Sequence, residues 1–179
     1  VNYLHRERGF QRFFLVLALF NAAMQLIALA GSVMLTFIGW ELAGVSSWLL
    51  IAYNGQSLTA TANANRAFVT NRIGDTGLLL GMFMALKWLH SLEWSVITVP
   101  AHSVSSLMVG VMAMGFMLAA LAKSAQFPFS AWITRAMEGP TPSSAVFYGS
   151  IMVHAGVYLL LRMSPLLAQI PTLNVLLLV

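Results

Sequence analysis

Two side chains of opposite charge, Glu41 and Lys123, stand within long stretches of apolar sequence. Glu41 follows Ser32 by about 14 Å and precedes Tyr53 by about 18 Å along a helix axis, so a membrane-spanning helix would hold it near the midplane. Lys123 lies about 18 Å before Arg135 on the same measure. A charge at such depth costs roughly 3 kcal/mol or more and is usually retained for a pathway, a relay or a partner charge.

A carboxylate and an amine in oily surroundings can pass protons. Burial disfavours the charged amine and a nearby carboxylate favours it, so moving the carboxylate would switch Lys123 between holding and releasing a proton. The alternative is a static ion pair that locks two helices. The sequence favours the relay, because Pro128 follows Lys123 closely and interrupted helices are typical of transport sites.

Three further polar residues could belong to the same site. Arg72 and Asp75 are three residues apart and can face the same side of a helix, which predicts a mutually neutralising structural pair. Asp75 could equally join Glu41 and Lys123. His154 lies about 18 Å beyond Pro142 along a helix, where an imidazole is either a proton stop or a hydrogen-bonded structural group.

Chemistry on a bound small molecule is not indicated. The sequence has no nucleotide-binding loop, metal-ligand spacing or nucleophile triad, and it has no cysteine. We therefore expect no catalytic residue, no cofactor and no metal in this stretch. The glycines at positions 74, 77 and 81 indicate close helix packing instead.

The elements that must position these groups are apolar helices. Of the 179 residues, 59% are hydrophobic and 8% are charged, whereas soluble domains have about 25% charged residues. Charge-free runs cover residues 13–40, 42–65, 94–122 and 139–161, and each approaches or exceeds the ~20 residues of a spanning helix. We predict an all-α, polytopic transmembrane helix bundle.

The predicted spans form one partial transmembrane domain. They cover about residues 13–31, 33–53, 66–89, 105–135 and 142–162, and another begins in 166–179. The fourth would be ~46 Å long as one straight helix, against a hydrocarbon core of ~30 Å. Pro128 lacks an N–H and clashes with the carbonyl of Ser124, which predicts a helix break near 123–128.

Apart from Arg6, Arg8 and Arg12 the basic residues are scattered singly, which indicates a juxtamembrane basic cluster and a membrane orientation signal rather than nucleic-acid binding. Alternating spans place most of them on one side, which we expect to be cytoplasmic in a bacterial inner membrane. These residues are Arg6, Arg8, Arg12, Arg66 and Arg135, against Lys87 and Arg162 on the other side. The chain lacks an initiator Met and stops in an apolar run, so we expect a longer parent protein.

Three motifs occur in a specific order: residues 39–44 (GWELAG), 71–77 (NRIGDTG), and 123–126 (KSAQ) leading to 136–142 (AMEGPTP). Together they resemble the antiporter-like, proton-translocating proteins, the family of subunit L of respiratory complex I (NADH-quinone oxidoreductase) and its relative in Mrp sodium/proton antiporters. The resemblance implies that Lys123 carries protons on a broken helix, that Glu41 is its key carboxylate and that Asp75 lies beside them. This would form a half-channel.

The resemblance also implies a setting. The parent would be a non-redox subunit of a translocase, with further spans, another discontinuous helix and partner subunits in the lipid bilayer. The transported ion would be the proton, with Na⁺ as the alternative.

One departure from the family pattern concerns the end of the path. Where the complex I subunit carries a histidine, this chain has Tyr148, and His154 follows six residues later, rotated by about 240° around a helix. His154 or Tyr148 with water would complete the path. Residues 141–149 and 153–156 resemble the membrane subunit of DAB-type inorganic-carbon uptake systems, so the alternatives are a cation-coupled subunit for bicarbonate uptake or a non-conducting scaffold.

Overall fold

The computed structural model describes residues 9–99, 104–146, 151–170 and 172–173, and within these ranges it contains helices and no strand. The predicted all-α fold class is therefore confirmed. The elements are α1 Phe10–Leu29, α2 Val33–Ile51, α3 Leu58–Leu89, α4 Trp94–Ile97, α5 Ser106–Lys123, α6 Ala131–Arg135 with a 3₁₀ turn at Ala136–Glu138, α7 Thr141–Ser144, α8 Met152–Arg162 and α9 Ser164–Leu167.

Helices α1 and α2 form a tight antiparallel hairpin. Ser32 caps α2, because its Oγ accepts a hydrogen bond from the backbone N–H of Leu35 at 3.3 Å. Gly39 then lets the backbones approach: a Cβ at this position would lie 2.9 Å from the carbonyl oxygen of Ala23. This contact holds the α2 turn that contains Glu41 against α1.

Helix α3 begins at Leu58, eight residues before the predicted start of the third span at Arg66. Ser57 caps it by accepting a hydrogen bond from Ala60 N–H at 3.2 Å, and residues 58–65 contain no glycine or proline to interrupt it. Its 32 residues make it about 48 Å long. The helix therefore extends beyond a hydrocarbon core of ~30 Å.

The contact between α3 and α5 is the most extensive in the bundle, and glycines create it. A Cβ on Gly77 would lie 2.6 Å from the carbonyl oxygen of Gly115, and a Cβ on Gly81 would lie 2.8 Å from the Phe116 ring. Such backbone proximity is typical of membrane helix pairs with small residues at the interface. It brings the C-terminal end of α5 beside the middle of α3.

Three of the described helices, α1, α2 and α5, are long and apolar enough to cross a membrane. Helix α3 has the length but includes Arg66, Arg72, Asp75 and Lys87. In the predicted fifth span, residues 145–151 lie between α7 and α8, and residues 147–150 of this stretch are outside the described ranges.

The two ends of the bundle differ in their basic residues. At one end Gly9 packs on the Tyr53 side chain and Gly139 on Leu50, which places Arg12, Arg66 and Arg135 there. At the other end the Arg162 guanidinium lies 5.1 Å from the centre of the Trp94 ring. Lys87, in the last turn of α3, is at this second end. Arg6 and Arg8 lie outside the described residues.

We expect Gly115→Ala to lower the free energy of unfolding by about 1–3 kcal/mol, as overpacking does in well-packed interiors. The added methyl group would lie 2.7 Å from the carbonyl oxygen of Gly77 and 2.8 Å from the backbone nitrogen of Gly81. The measurement is the thermal unfolding midpoint of the full-length protein in detergent.

Gly110→Ala is the matched control on the same helix, because nothing lies within 4 Å of a Cβ there. Alanine is a better helix former than glycine, so this variant should be as stable as the wild type or slightly more stable. Equal midpoints for the two variants would contradict the packing argument.

Candidate functional site

Glu41 lies in the middle of α2 and reaches across to α3. Its side chain is 24% exposed, and its Oε2 accepts a hydrogen bond from Nη1 of Arg72. Arg72 was predicted from spacing to pair with Asp75 on its own helix. The structure shows that it also bridges to the carboxylate of the neighbouring helix.

Arg72 therefore lies between two carboxylates. Its Nη2 is 2.9 Å from Oδ2 of Asp75, one turn further along α3. Its guanidinium also lies 4.8 Å from the centre of the Phe68 ring, a cation–π contact that helps to fix its orientation. One cation thus neutralises part of two negative charges and ties α2 to α3.

Lys123 is the last residue of α5 and is only 1% exposed. Its Nζ donates a hydrogen bond to the carbonyl oxygen of Trp40 at 3.2 Å and lies 5.1 Å from the centre of the Trp40 ring. In the described part of the chain, however, both ion pairs within 4 Å belong to Arg72, so Lys123 is not directly paired.

Gly44 is a site residue that the sequence reasoning missed. A Cβ at this position would lie 3.1 Å from Nη2 of Arg72 and 3.5 Å from Nζ of Lys123. The two cations thus approach the same point on α2, one turn beyond Trp40. The signal available in the sequence was the glycine that ends the GWELAG motif.

The chain leaves α-helical geometry immediately after Lys123. Ser124 caps α5, and Ala125 has a φ of 53°, in the left-handed region. The Nε1–H of Trp132, in α6, donates a hydrogen bond to the carbonyl of Ala122 at 2.9 Å. Pro128, the residue predicted to break the helix, is exposed in the connection between α5 and α6.

The cluster also contains polar atoms that the protein leaves without a partner. Oδ1 of Asn71 and Nε of Arg72 are buried and form no hydrogen bond with the described residues. Buried polar groups are normally satisfied by protein or by ordered water. Water is a ligand that such atoms could accept.

His154 does not join the Lys123 cluster. Helix α8 packs on α5 through Gly156, whose Cβ would lie 2.9 Å from Oγ of Ser124. His154 is two residues earlier, rotated by about 200°, and it lines a cleft of about 330 Å³ with Asn21 and Gln25 of α1. Tyr148 lies outside the described residues.

The site holds two cations and two carboxylates and provides no metal-binding cluster. Among the residues that the structure describes, no group of three or more His, Cys, Asp or Glu side chains could hold a metal ion. The groups that can bind a proton here are the amine of Lys123 and the carboxylates of Asp75 and Glu41.

Comparisons with known proteins identify the same family by sequence and by structure. A family model described as NADH:quinone oxidoreductase/Mrp antiporter, transmembrane, matches residues 30–179. The chain is 40% identical over 172 residues to NADH-quinone oxidoreductase subunit L of Mycobacterium tuberculosis (strain CDC 1551 / Oshkosh), covering 96% of this chain and 27% of that protein. It is also 40% identical over 176 residues to the chloroplastic NAD(P)H-quinone oxidoreductase subunit 5 of Zygnema circumcarinatum, covering 94% and 25%.

A solved structure of a protein complex also contains a chain that resembles this one. The chain is similar to one chain in the structure of the Mrp complex from Dietzia sp. DQ12-45-1b, with a TM-score of 0.84 and 35% identity. The match covers 90% of this chain and 18% of that one. The chain thus spans about a quarter, or less, of the length of these relatives.

Arg72→Ala should destabilise the protein, because it leaves Glu41 and Asp75 without their shared cation. Breaking a fully buried pair costs about 3–5 kcal/mol, but the Arg72 side chain is 33% exposed, so we expect about 1–3 kcal/mol after screening by solvent. Unfolding midpoints of the full-length protein measure it. Lys87→Ala, which removes an exposed cation from the same helix, is the control.

Adding Glu41→Gln to Arg72→Ala should recover part of the lost stability, since one unpaired carboxylate is then removed. The double-mutant cycle isolates this coupling. If Arg72→Ala matches Lys87→Ala in stability, the guanidinium does not hold the two helices together.

Proposed function

The chain belongs to the NADH:quinone oxidoreductase/Mrp antiporter transmembrane family, as its motifs predict, and we propose that it forms the proton-carrying half-channel of a proton-translocating membrane subunit. In this proposal Lys123 carries the proton, Asp75 and Glu41 control its affinity for that proton, and Arg72 controls the two carboxylates. One observation carries the proposal. The buried Lys123 amine and the Arg72 guanidinium approach the same point on α2 at Gly44, yet both ion pairs of the two carboxylates are with Arg72.

The switch that we propose is a competition between two cations for two carboxylates. When Arg72 engages Asp75, Lys123 lacks a direct countercharge and its neutral form is favoured. When Arg72 turns fully to Glu41, Asp75 is available to Lys123 and the ammonium form is favoured. Two unit charges 4 Å apart interact by about 4 kcal/mol at an effective dielectric constant near 20, which is several times the thermal energy.

Proton transfer to and from Lys123 requires a hydrated path. The unpartnered polar atoms of Asn71 and Arg72 support hydration on the carboxylate side of the amine. On the other side, the hydroxyl of Ser124 lies against Gly156 of α8. His154 faces away from this contact by about 200° around α8, so in this proposal water connects Ser124 to His154 or to Tyr148.

The proton is the ion that suits this site. A lysine amine binds and releases protons, whereas the guanidinium of Arg72 and a charged Lys123 repel Na⁺. The relatives are subunits of quinone oxidoreductases, and the similar solved chain is part of an Mrp complex. We therefore propose that the parent protein is an integral component of such a multi-subunit complex, in a bacterial inner membrane.

Lys123→Ala and Glu41→Ala should each reduce proton translocation by the parent complex at least tenfold, because general acid–base groups typically contribute 10²–10⁴-fold. Both variants should still assemble. The measurement is pH-dye uptake in vesicles containing the purified complex, with assembly checked on native gels. Lys87→Ala, an exposed cation on α3, should translocate normally, and a wild-type rate in both site variants would refute the assignment.

A second candidate function, a non-conducting scaffold, is favoured by the links that these charges make between helices: Arg72 joins α2 to α3, and Lys123 donates to the Trp40 carbonyl. The double variant Glu41→Gln with Lys123→Met separates the two candidates, since neutral substitutes for buried charges are often tolerated structurally. We expect an assembled complex that does not translocate protons. Full translocation by this assembled double variant would support the scaffold.

A further inference from the structure

A second group of cations lines a cleft between α3 and α6. The cleft has a volume of about 430 Å³, with Arg66 on α3 and Arg135 on α6, and its walls include Val69, Ala131 and Trp132. The two arginines are 69 positions apart in sequence. The fold therefore assembles this site, and the proposed proton path does not use it.

No carboxylate is among the residues that line this cleft. The other polar groups in its wall are already engaged: Oδ1 of Asn65 accepts from Trp48 Nε1, the Thr70 hydroxyl donates to the Arg66 carbonyl, and Trp132 Nε1 donates to Ala122. The two guanidinium groups, with the amide N–H₂ of Asn65, thus supply the remaining donors. A guanidinium is a planar fork of N–H groups that matches the oxygens of a phosphate.

The depth of the cleft matches the headgroup region of a bilayer. Asp75 shares Arg72 with Glu41, the residue predicted to lie near the bilayer midplane. Arg66 precedes Asp75 by nine residues, about 13 Å along α3, and the distance from the midplane to the edge of a ~30 Å hydrocarbon core is about 15 Å. Below Arg66, on the same face, come Val69 and Ile73, which are 57% and 50% exposed. This pattern provides a charged position at the interface and an apolar track that leads into the membrane.

We propose that this cleft binds an anionic phospholipid, with its phosphate between Arg66 and Arg135 and an acyl chain along Val69 and Ile73. Basic pockets between membrane helices at this level select anionic headgroups. Free phosphate would use the two arginines and leave the apolar track unused. A lipid is therefore the ligand that matches both the two arginines and the apolar track.

Native mass spectrometry of the full-length protein in detergent, titrated with phosphatidylglycerol, tests the proposal. Each arginine should contribute about fivefold to the affinity for the first lipid bound, so Arg66→Gln with Arg135→Gln should weaken it by about 25-fold. Arg12→Gln removes an exposed cation from the same end of the bundle outside the cleft, and it should leave the affinity unchanged. Phosphatidylcholine, which has the same phosphate but no net charge, should bind the wild type more weakly than phosphatidylglycerol does and should lose less affinity in the double variant.

Three outcomes would overturn the proposal. Equal affinity of the wild type and the double variant for phosphatidylglycerol would show that the arginines do not select the lipid. Inorganic phosphate that displaces phosphatidylglycerol at equal concentration would identify a free-anion site. A wild type that retains no phosphatidylglycerol would show that another part of the parent protein covers the cleft.

Discussion

The arrangement of this site depends on one guanidinium that serves two carboxylates. Arg72 binds Glu41 across the α2–α3 interface and Asp75 along its own helix. Because it neutralises both acids only in part, Lys123 can be fully buried nearby without a direct ion pair. With Lys123 protonated the four groups sum to zero charge, and with Lys123 neutral they sum to one negative charge. Transfer of a single proton therefore changes the net charge of a low-dielectric region, where such a change has large effects.

Glycines make this concentration of charge possible. Gly77 and Gly115 bring the backbones of α3 and α5 together, Gly39 seats α2 on α1, and Gly44 leaves space for two cations. Backbones packed this closely cannot slide without collisions, because interiors at native density do not deform continuously. Rotation of the Arg72, Glu41 and Asp75 side chains is then the motion that requires the least rearrangement.

The sequence was sufficient for the fold class and for the family, because the apolar runs indicate membrane helices and three motifs occur in a family-specific order. The depth of Glu41 and Lys123 in the bilayer stays a prediction. The sequence did not show which groups meet across helices. Spacing identified Arg72 with Asp75 as neighbours on one helix, but contact with Glu41 depends on rotation about two helix axes. The hydrogen bond from Lys123 to the Trp40 carbonyl was not predictable either, because every residue has a backbone carbonyl and the sequence does not show which one accepts. The early start of α3 was missed because residues 58–65 are polar enough to resemble a loop, although Ser57 caps them.

The hydrogen bond from Trp132 to Ala122 determines how the interrupted helix behaves mechanically. An interruption without such a link would act as a hinge, and the two arms could swing apart and carry the lysine with them. Here the indole of Trp132 on α6 binds the last turn of α5, which restricts bending at the interruption. The Lys123 amine at this bend also donates to the carbonyl of Trp40, so both arms and α2 are linked within one turn of the interruption.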